Sequence, residues 1–317
     1  MVKLSASRIK TLLSCSWKYW CNYILKLPSK GNDGANRGNT VHPILECLLR
    51  PDRKPYVEKI LSLEDPFCIP SIKRLAYIHA KKLEVASDEN IKLIKDFILT
   101  ALKFDFYCEG AEQVFAEEEF NYKTEDYWIG GFIDKKAIYK DKVKIVDYKT
   151  SKAKFTQEEI EASIQALMYA LIQTKQHPAL MPEVEFLFLK FKKAPSQKAN
   201  VNPSLLNGFE EYLKYISKHL IDFNIEKAMS DFAYNDRERM WLCGKKLGDR
   251  KKDGSDAWTC EYKYPYIYFA AKDNDGKIIS TSKSKKDLDK YLDKGYTIVQ
   301  MEYSGCPKFH RLWNNKQ

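Results

Sequence analysis

Between residues 130 and 150 the chain reads as two short β runs. Gly130-Gly131-Phe132-Ile133-Asp134 continues through Ala137, Ile138 and Tyr139, the polar Lys140-Asp141-Lys142 makes a reversal, and Val143 to Thr150 returns. Side chains alternate faces along a strand, so Val143, Ile145, Asp147 and Lys149 share one face and Lys144, Val146 and Tyr148 the other. A carboxylate and a lysine therefore end an otherwise apolar face. That placement is costly unless the pair has a partner or a task.

Around this hairpin the pattern is mostly helical. Ser5 and Ser7 offer caps for a helix carrying Ile9, Leu12 and Leu13, followed by the aromatic run Cys15-Ser16-Trp17-Lys18-Tyr19-Trp20-Cys21, whose Trp17 and Trp20 suit the core. After the Gly/Asn loop over 31–36, Asn39 or Thr40 caps a helix with Pro43 in its first turn. Residues 56–106 have a helical period and read as an insertion over about 51–110. Strands resume at 113–116 and 120–129, with the acidic Glu117, Glu118 and Glu119 between them, read as a solvated turn in preference to a cluster with one member approaching a metal. Thr156-Gln157-Glu158-Glu159 is a capping box opening one helix with Ile160, Ile164, Leu167 and Leu171 on its buried stripe. A strand apolar on both faces follows over 184–191, as a central strand would be, then a long helix over 203–229. From 236 to 317 two strands, a short helix opened by Ser284 and a last strand suggest a ββαβ accessory module, with residues 1–235 as the main domain.

Composition narrows the function. Of 317 residues, 44% are hydrophobic, enough for a sizeable core, and the formal net charge of +10 with a pI near 9.0 points to a polyanion, nucleic acid first. No stretch suits a bilayer span and the N-terminus lacks a signal-type apolar region, so a cytoplasmic protein with no membrane partner is expected. Eight cysteines in a reducing compartment argue against a disulfide framework and leave buried thiols or a metal cluster.

The chemistry follows from the hairpin. Asp134 and Asp147 suit a hard divalent cation, Mg²⁺ or Mn²⁺, with Lys149 beside it. Such a set suits phosphodiester hydrolysis, because cation and lysine offset charge on the phosphate and prepare a water. His42 and Glu46 project from one helical face, four residues apart, and could complete the ligand set. Gln165 and Tyr169, also four apart, could reach a phosphate or base at the cleft.

Taken in order, Arg37-Gly38 with His42 and Glu46, Gly131-Phe132-Ile133-Asp134, Asp147-Tyr148-Lys149-Thr150, and Gln165 with Tyr169 resemble the PD-(D/E)XK nuclease superfamily, in particular its RecB-like and CRISPR-adaptation nucleases. The resemblance covers about residues 1–192. It implies an α/β, restriction-endonuclease-like mixed sheet flanked by helices, with the helical insertion and the C-terminal module outside it. It implies a metal held by His42, Asp134, Asp147 and the main-chain carbonyl of Tyr148. Lys149 is implied to orient the water or stabilise the phosphate charge, Glu46 to reach a metal-bound water, and Gln165 and Tyr169 to shape the cleft and contact DNA. Asp147 stands where a glutamate is commoner. Some members hold a [4Fe-4S] cluster on one N-terminal and three C-terminal cysteines. Here Cys15 or Cys21 would be the first and Cys243, Cys260 and Cys306 the rest, at wider spacing than those members show.

The expected activity is thus a Mg²⁺- or Mn²⁺-dependent DNA exonuclease serving recombination, repair or DNA processing, with a helicase or recombination partner unidentified. The alternatives are a non-catalytic DNA-binding subunit that keeps the fold, a structure-specific endonuclease, or RNA cleavage. The intact Asp134, Asp147 and Lys149 speak against a decayed site.

Overall fold

The computed structural model describes residues 2–29, 31–252 and 254–310. The chain opens with β1 (Lys3–Leu4), α1 (Ala6–Ser14) and the short α2 (Ser16–Tyr19), which runs on into a π-type turn through Ile24. α3 (Asp33–Leu49) begins well before Asn39, because the Asn32 side chain caps it by accepting from the Ala35 N–H at 2.9 Å. The stretch read as a loop is therefore cap and first turn, and Pro43 lies inside the helix. α4 (Lys54–Leu63), α5 (Pro70–Lys82) and α6 (Asp88–Leu102) fill the expected insertion. Their buried Ile60, Ile72, Ile94 and Phe97 form one core with Ile44 and Leu48 of α3 and with Val146, Tyr148 and Leu187.

β2 (Gln113–Lys123) is one strand, so Glu117 to Glu119 are not a turn. Charge in mid-strand is tolerated here because β2 lies on a sheet edge and Glu118 pairs with Lys136 at 2.5 Å. β3 (Trp128–Ile138) and β4 (Lys142–Lys149) are the hairpin. The Thr156 capping box forms, yet it opens only the single-turn α7 (Gln157–Glu161). Ser163 then caps a separate α8 (Ile164–Gln176), so one expected helix is two. β5 (Met181–Phe188) and β6 (Ser196–Ala199) complete the sheet. The last expected long helix is likewise divided, into α9 (Pro203–Ile221) and α10 (Ile225–Ser230), because Asn224 caps the second piece. β7 (Tyr266–Lys272), β8 (Ile278–Ser282) and β9 (Thr297–Tyr303) form a three-stranded antiparallel sheet in the order β8-β7-β9, and the helix expected at Ser284 is 3₁₀ (Lys285–Lys294).

The larger sheet is mixed and runs β1-β3-β4-β5-β6, with β2 on the other edge of β3. Two strands share one edge of β3: β1 lies parallel to it at Trp128 and Ile129, and β4 antiparallel from Lys135 to Ile138. Between those stretches, at 130–134, the ladders leave that edge open among the described residues. β4 meanwhile stays paired with the parallel β5 as far as Lys149↔Phe188. The β3–β4 pairing thus ends at Lys135↔Val146, one position short of Asp134 and Asp147.

The chain divides into two compact units. The first comprises Met1–Ala6 and Gly31–Ser217 and holds the larger sheet and α3 to α8; the second comprises Ser7–Lys30 and Lys218–Gln317. The division expected near residue 235 thus falls inside α9, and the N-terminal aromatic run sorts with the C-terminal segment. The reason is packing: Trp17, Cys21 and Leu27 share a core with Phe232, Tyr262, Tyr268 and Tyr303, and the Trp17 indole N–H donates to the Tyr303 hydroxyl at 2.8 Å. No helix of the described residues is long and apolar enough to cross a membrane.

Candidate active site

β2 and β3 pair around the Thr124-to-Tyr127 turn in one constant register, Lys123↔Trp128 through Gln113↔Ile138, interrupted at the facing positions Glu117 and Asp134. That register sets Glu117 opposite Asp134. Glu117 adopts φ +47°, a left-handed conformation that a non-glycine residue adopts at a cost of about 1–2 kcal/mol. A strained carboxylate facing a second carboxylate in mid-strand marks a site rather than a scaffold.

His42 reaches the same place from α3. Gly38 brings that helix close to the end of β4, since a Cβ there would stand 3.1 Å from Thr150 Oγ1, and the Thr150 hydroxyl donates to the Gly34 carbonyl at 3.2 Å. His42 Nδ1 then lies 3.1 Å from Asp134 Oδ1 and 3.6 Å from Glu117 Oε1. Donor atoms of His42, Glu117 and Asp134 all fall within 4.8 Å of one another, as a metal site requires.

From the other wall, the Tyr148 main-chain N–H donates to Asp134 Oδ2 at 2.7 Å. In an extended strand the N–H and C=O of one residue face the same edge, which turns the Tyr148 carbonyl toward Asp134 as well. Asp147 is 2% exposed. Its Oδ1 accepts from Gln165 Nε2 at 2.5 Å, and its Oδ2 has Lys149 Nζ at 2.5 Å yet no well-directed hydrogen bond. Gln165 also accepts from Lys149 at 2.8 Å through Oε1 and donates to the Tyr169 hydroxyl at 2.8 Å. The Tyr169 hydroxyl donates to the Phe132 carbonyl at 3.0 Å. One amide side chain thereby fixes Asp147, Lys149 and Tyr169 at once.

Electrostatics describe a group of acids in want of positive charge. Burial alone would lower the His42 pKa, but its bond to Asp134, the nearby Glu117 and the charge of Asp147 outweigh that and raise it to about 10. Burial, and then the Asp147 charge, push Asp134 above the ordinary carboxylate range. Burial likewise holds the Tyr169 and Tyr148 hydroxyls well above theirs, so neither is a base at neutral pH. His42, Glu117 and Asp134 suit a hard divalent cation, with the Tyr148 carbonyl turned toward them, whereas Asp147 lies outside that close group and its Oδ2 is held by the Lys149 ammonium at 2.5 Å.

His42, Asp134, Asp147, Tyr148, Lys149, Gln165 and Tyr169 thus converge as the sequence suggested. Two others do not. Glu46 is exposed and outside the acidic group, because a helical turn carries it away from His42 along the axis. Arg37 is buried at 8% exposure and donates to Asn90 Oδ1 at 2.6 Å, tying α3 to α6 rather than facing DNA. Glu117 belongs to the acidic run for which sequence reasoning preferred a solvated turn over an approach to the metal, and here it joins His42 and Asp134. Folding the hairpin symmetrically about its Thr124 turn would have set it opposite Asp134.

In the second unit Cys15, Cys243, Cys260 and Cys306 line one cavity together with Trp17, Lys18 and Lys263. Cys21 does not line it; its thiol faces the Tyr303 hydroxyl at 3.5 Å. All the cysteines are unpaired. Burial raises the Cys260 and Cys306 thiols to about 11 and about 12.

Comparison with known proteins places this geometry. No curated protein sequence matches the chain. Among solved structures, a protein from Eubacterium rectale provisionally assigned as an exonuclease is 10% identical, covering 79% of this chain and 91% of its own with a TM-score of 0.48. A Vibrio cholerae protein is 9% identical, covering 64% and 58%, with a TM-score of 0.23. Both superpose too loosely to carry functional weight. The profile of the PD-(D/E)XK nuclease superfamily matches residues 3–245. With more than half its length matched, and with a mixed sheet flanked by helices, the chain belongs to the PD-(D/E)XK nuclease superfamily.

Proposed function

We propose that the first unit is a Mg²⁺- or Mn²⁺-dependent deoxyribonuclease that degrades DNA from ends, in recombination, repair or DNA processing. The observation that carries this reading is the convergence of His42, Glu117 and Asp134 within 4.8 Å, just past the end of the β3–β4 pairing and beside the Asp147–Lys149 ion pair. A bound divalent cation supplies charge neutralisation at the phosphate and acidifies water. Asp134 and Asp147 hold that cation with His42, Glu117 and the Tyr148 carbonyl. Lys149, fixed by Gln165 and Asp147, orients the attacking water or offsets charge on the phosphate oxygens. Water adds to phosphorus, the bond to the leaving sugar oxygen breaks, and that oxygen takes up a proton. Digestion of end-labelled linear and closed circular DNA, with and without Mn²⁺, tests the reading. Metal-dependent loss of linear DNA alone, abolished in Asp134→Ala, is expected. Equal digestion of circles overturns the exonuclease assignment, and full activity of Asp134→Ala overturns the site.

We further propose that Cys15, Cys243, Cys260 and Cys306 hold a [4Fe-4S] cluster, whose usual donor set is four thiolates. The observation that favours this reading is that all four line one cavity, and tetrahedral zinc is its competitor for the same donors. Iron and acid-labile sulfide in freshly purified protein, with visible absorbance lost in Cys260→Ser, are expected. Zinc without iron overturns the assignment.

A further inference from the structure

A groove of about 630 Å³ opens in the second unit, of a size that suits a ligand site, and nothing in the reaction above uses it. Its lining includes Tyr234, Arg237, Trp241, Lys245, Lys251 and Trp258, and none of the described residues that line it is acidic. Trp241 is 70% exposed, Trp258 46% and Tyr234 45%. Large aromatic faces left in water on one concave surface are uncommon in a folded chain and mark an interaction site.

The groove is also built rigidly. Gly244, at φ +66°, brings its backbone against the Trp258 ring: a Cβ there would stand 2.4 Å from the Trp258 carbonyl oxygen and 2.6 Å from the ring. The Lys245 N–H donates to that same carbonyl at 2.9 Å. Lys263 spends its charge inward, donating to the carbonyls of Gly244 at 3.2 Å and Lys245 at 3.0 Å, with its Nζ 4.5 Å from the centre of the Phe309 ring. The wall that carries Trp258 and Lys245 is therefore set before any ligand arrives. Arg237, Lys245 and Lys251 are exposed along its rim.

We propose that this groove is a second nucleic-acid site and that its ligand is unpaired single-stranded DNA. Aromatic faces between cationic side chains match a strand whose bases are free to stack and whose phosphates follow the rim. Duplex DNA keeps its bases inside the stack and offers the aromatic faces nothing. An acidic peptide would meet the charge but not the rings. The choice of DNA rests on the nuclease reading; the presence of a stacking site does not.

Titration of full-length Asp134→Ala protein in chelator, by anisotropy of a labelled oligothymidylate of about ten nucleotides, tests this apart from any cleavage. Trp241→Ala and Trp258→Ala should each weaken binding roughly 5- to 150-fold, the range for loss of one base stack, while Trp241→Phe retains most of it. Lys245→Ala and Lys251→Ala should each lower the salt dependence by about one unit of slope. An abasic strand of equal length should bind more weakly than oligothymidylate and be indifferent to Trp241→Ala. Equal binding of abasic strand and oligothymidylate, tighter binding of a duplex of that length, or tryptophan variants that bind like the parent would each overturn the proposal. Should wild-type protein fail to cut DNA while the tryptophan-dependent binding persists, the nuclease reading alone falls.

Discussion

The Tyr148 main-chain N–H lies 2.7 Å from Asp134 Oδ2, joining β3 to β4 just where their ladder ends. A main-chain donor cannot rotate away, so one oxygen of Asp134 is fixed by the backbone and the other faces His42. Asp134→Asn should therefore fold normally while presenting an amide where a charge is needed. The expected loss in kcat is at least about 10²-fold, the scale for removing one charged or polar group aimed at developing charge. Thermal unfolding beside single-turnover cleavage checks both halves.

Gln165 touches no reacting atom in this reading, yet it holds Asp147, Lys149 and Tyr169 together. Gln165→Ala should lower kcat about 10- to 100-fold, the usual effect of losing a group that orients metal ligands. KM should change little. A KM that rises alone would show that Gln165 binds substrate directly.

Glu117 allows metal affinity and stability to be separated. Its φ of +47° suits glycine, so Glu117→Gly should match or exceed the parent's melting temperature without metal, because about 1 kcal/mol of backbone strain is relieved. The same variant should lose most of the stabilisation that Mn²⁺ gives the parent. Glu117→Gln keeps the strain and should lose the Mn²⁺ response without the gain. Differential scanning with and without Mn²⁺ distinguishes the two.

The His42 shift gives metal binding a pH dependence of definite sign. With a pKa raised to about 10, His42 is protonated in the metal-free protein at neutral pH, and a cation must displace that proton. Affinity should rise about tenfold per pH unit from pH 7 upward and level off near pH 10. In the metal-free protein the sign is opposite: the His42 contribution to stability is fully present below about pH 6.5 and is lost as pH rises through 10. Calorimetry of Mn²⁺ binding in buffers of different ionisation enthalpy should find about one proton released per ion at pH 8.

The hairpin, its facing Asp147 and Lys149, and the Gln165–Tyr169 pair were legible because they depend only on strand alternation and helical spacing. Local signals also gave the Thr156 cap and the helical insertion. Failures came where one local rule overrode another: Asn32 captured the start of α3, Ser163 and Asn224 split two expected helices, and edge pairing kept Glu117 to Glu119 in a strand. Arg37 and Glu46 look alike in sequence, since only tertiary packing shows that one is buried against Asn90 and the other faces water. The set Cys15, Cys243, Cys260 and Cys306 was reached only through the family resemblance, since spacing rules for short metal motifs do not cover such long chain separations.

The indole of Trp17 donates to a hydroxyl 286 positions later in the chain, that of Tyr303. During synthesis at about 5–20 residues per second, Trp17, Cys21 and Leu27 therefore wait some ten seconds or more for their partners to emerge. The catalytic unit, all of whose strands precede Ser217, can collapse in the meantime. Nascent chains of this protein should thus pass through an interval in which one half is finished and the other still offers apolar side chains to chaperones, and slowed translation after Ser217 should lengthen that exposure.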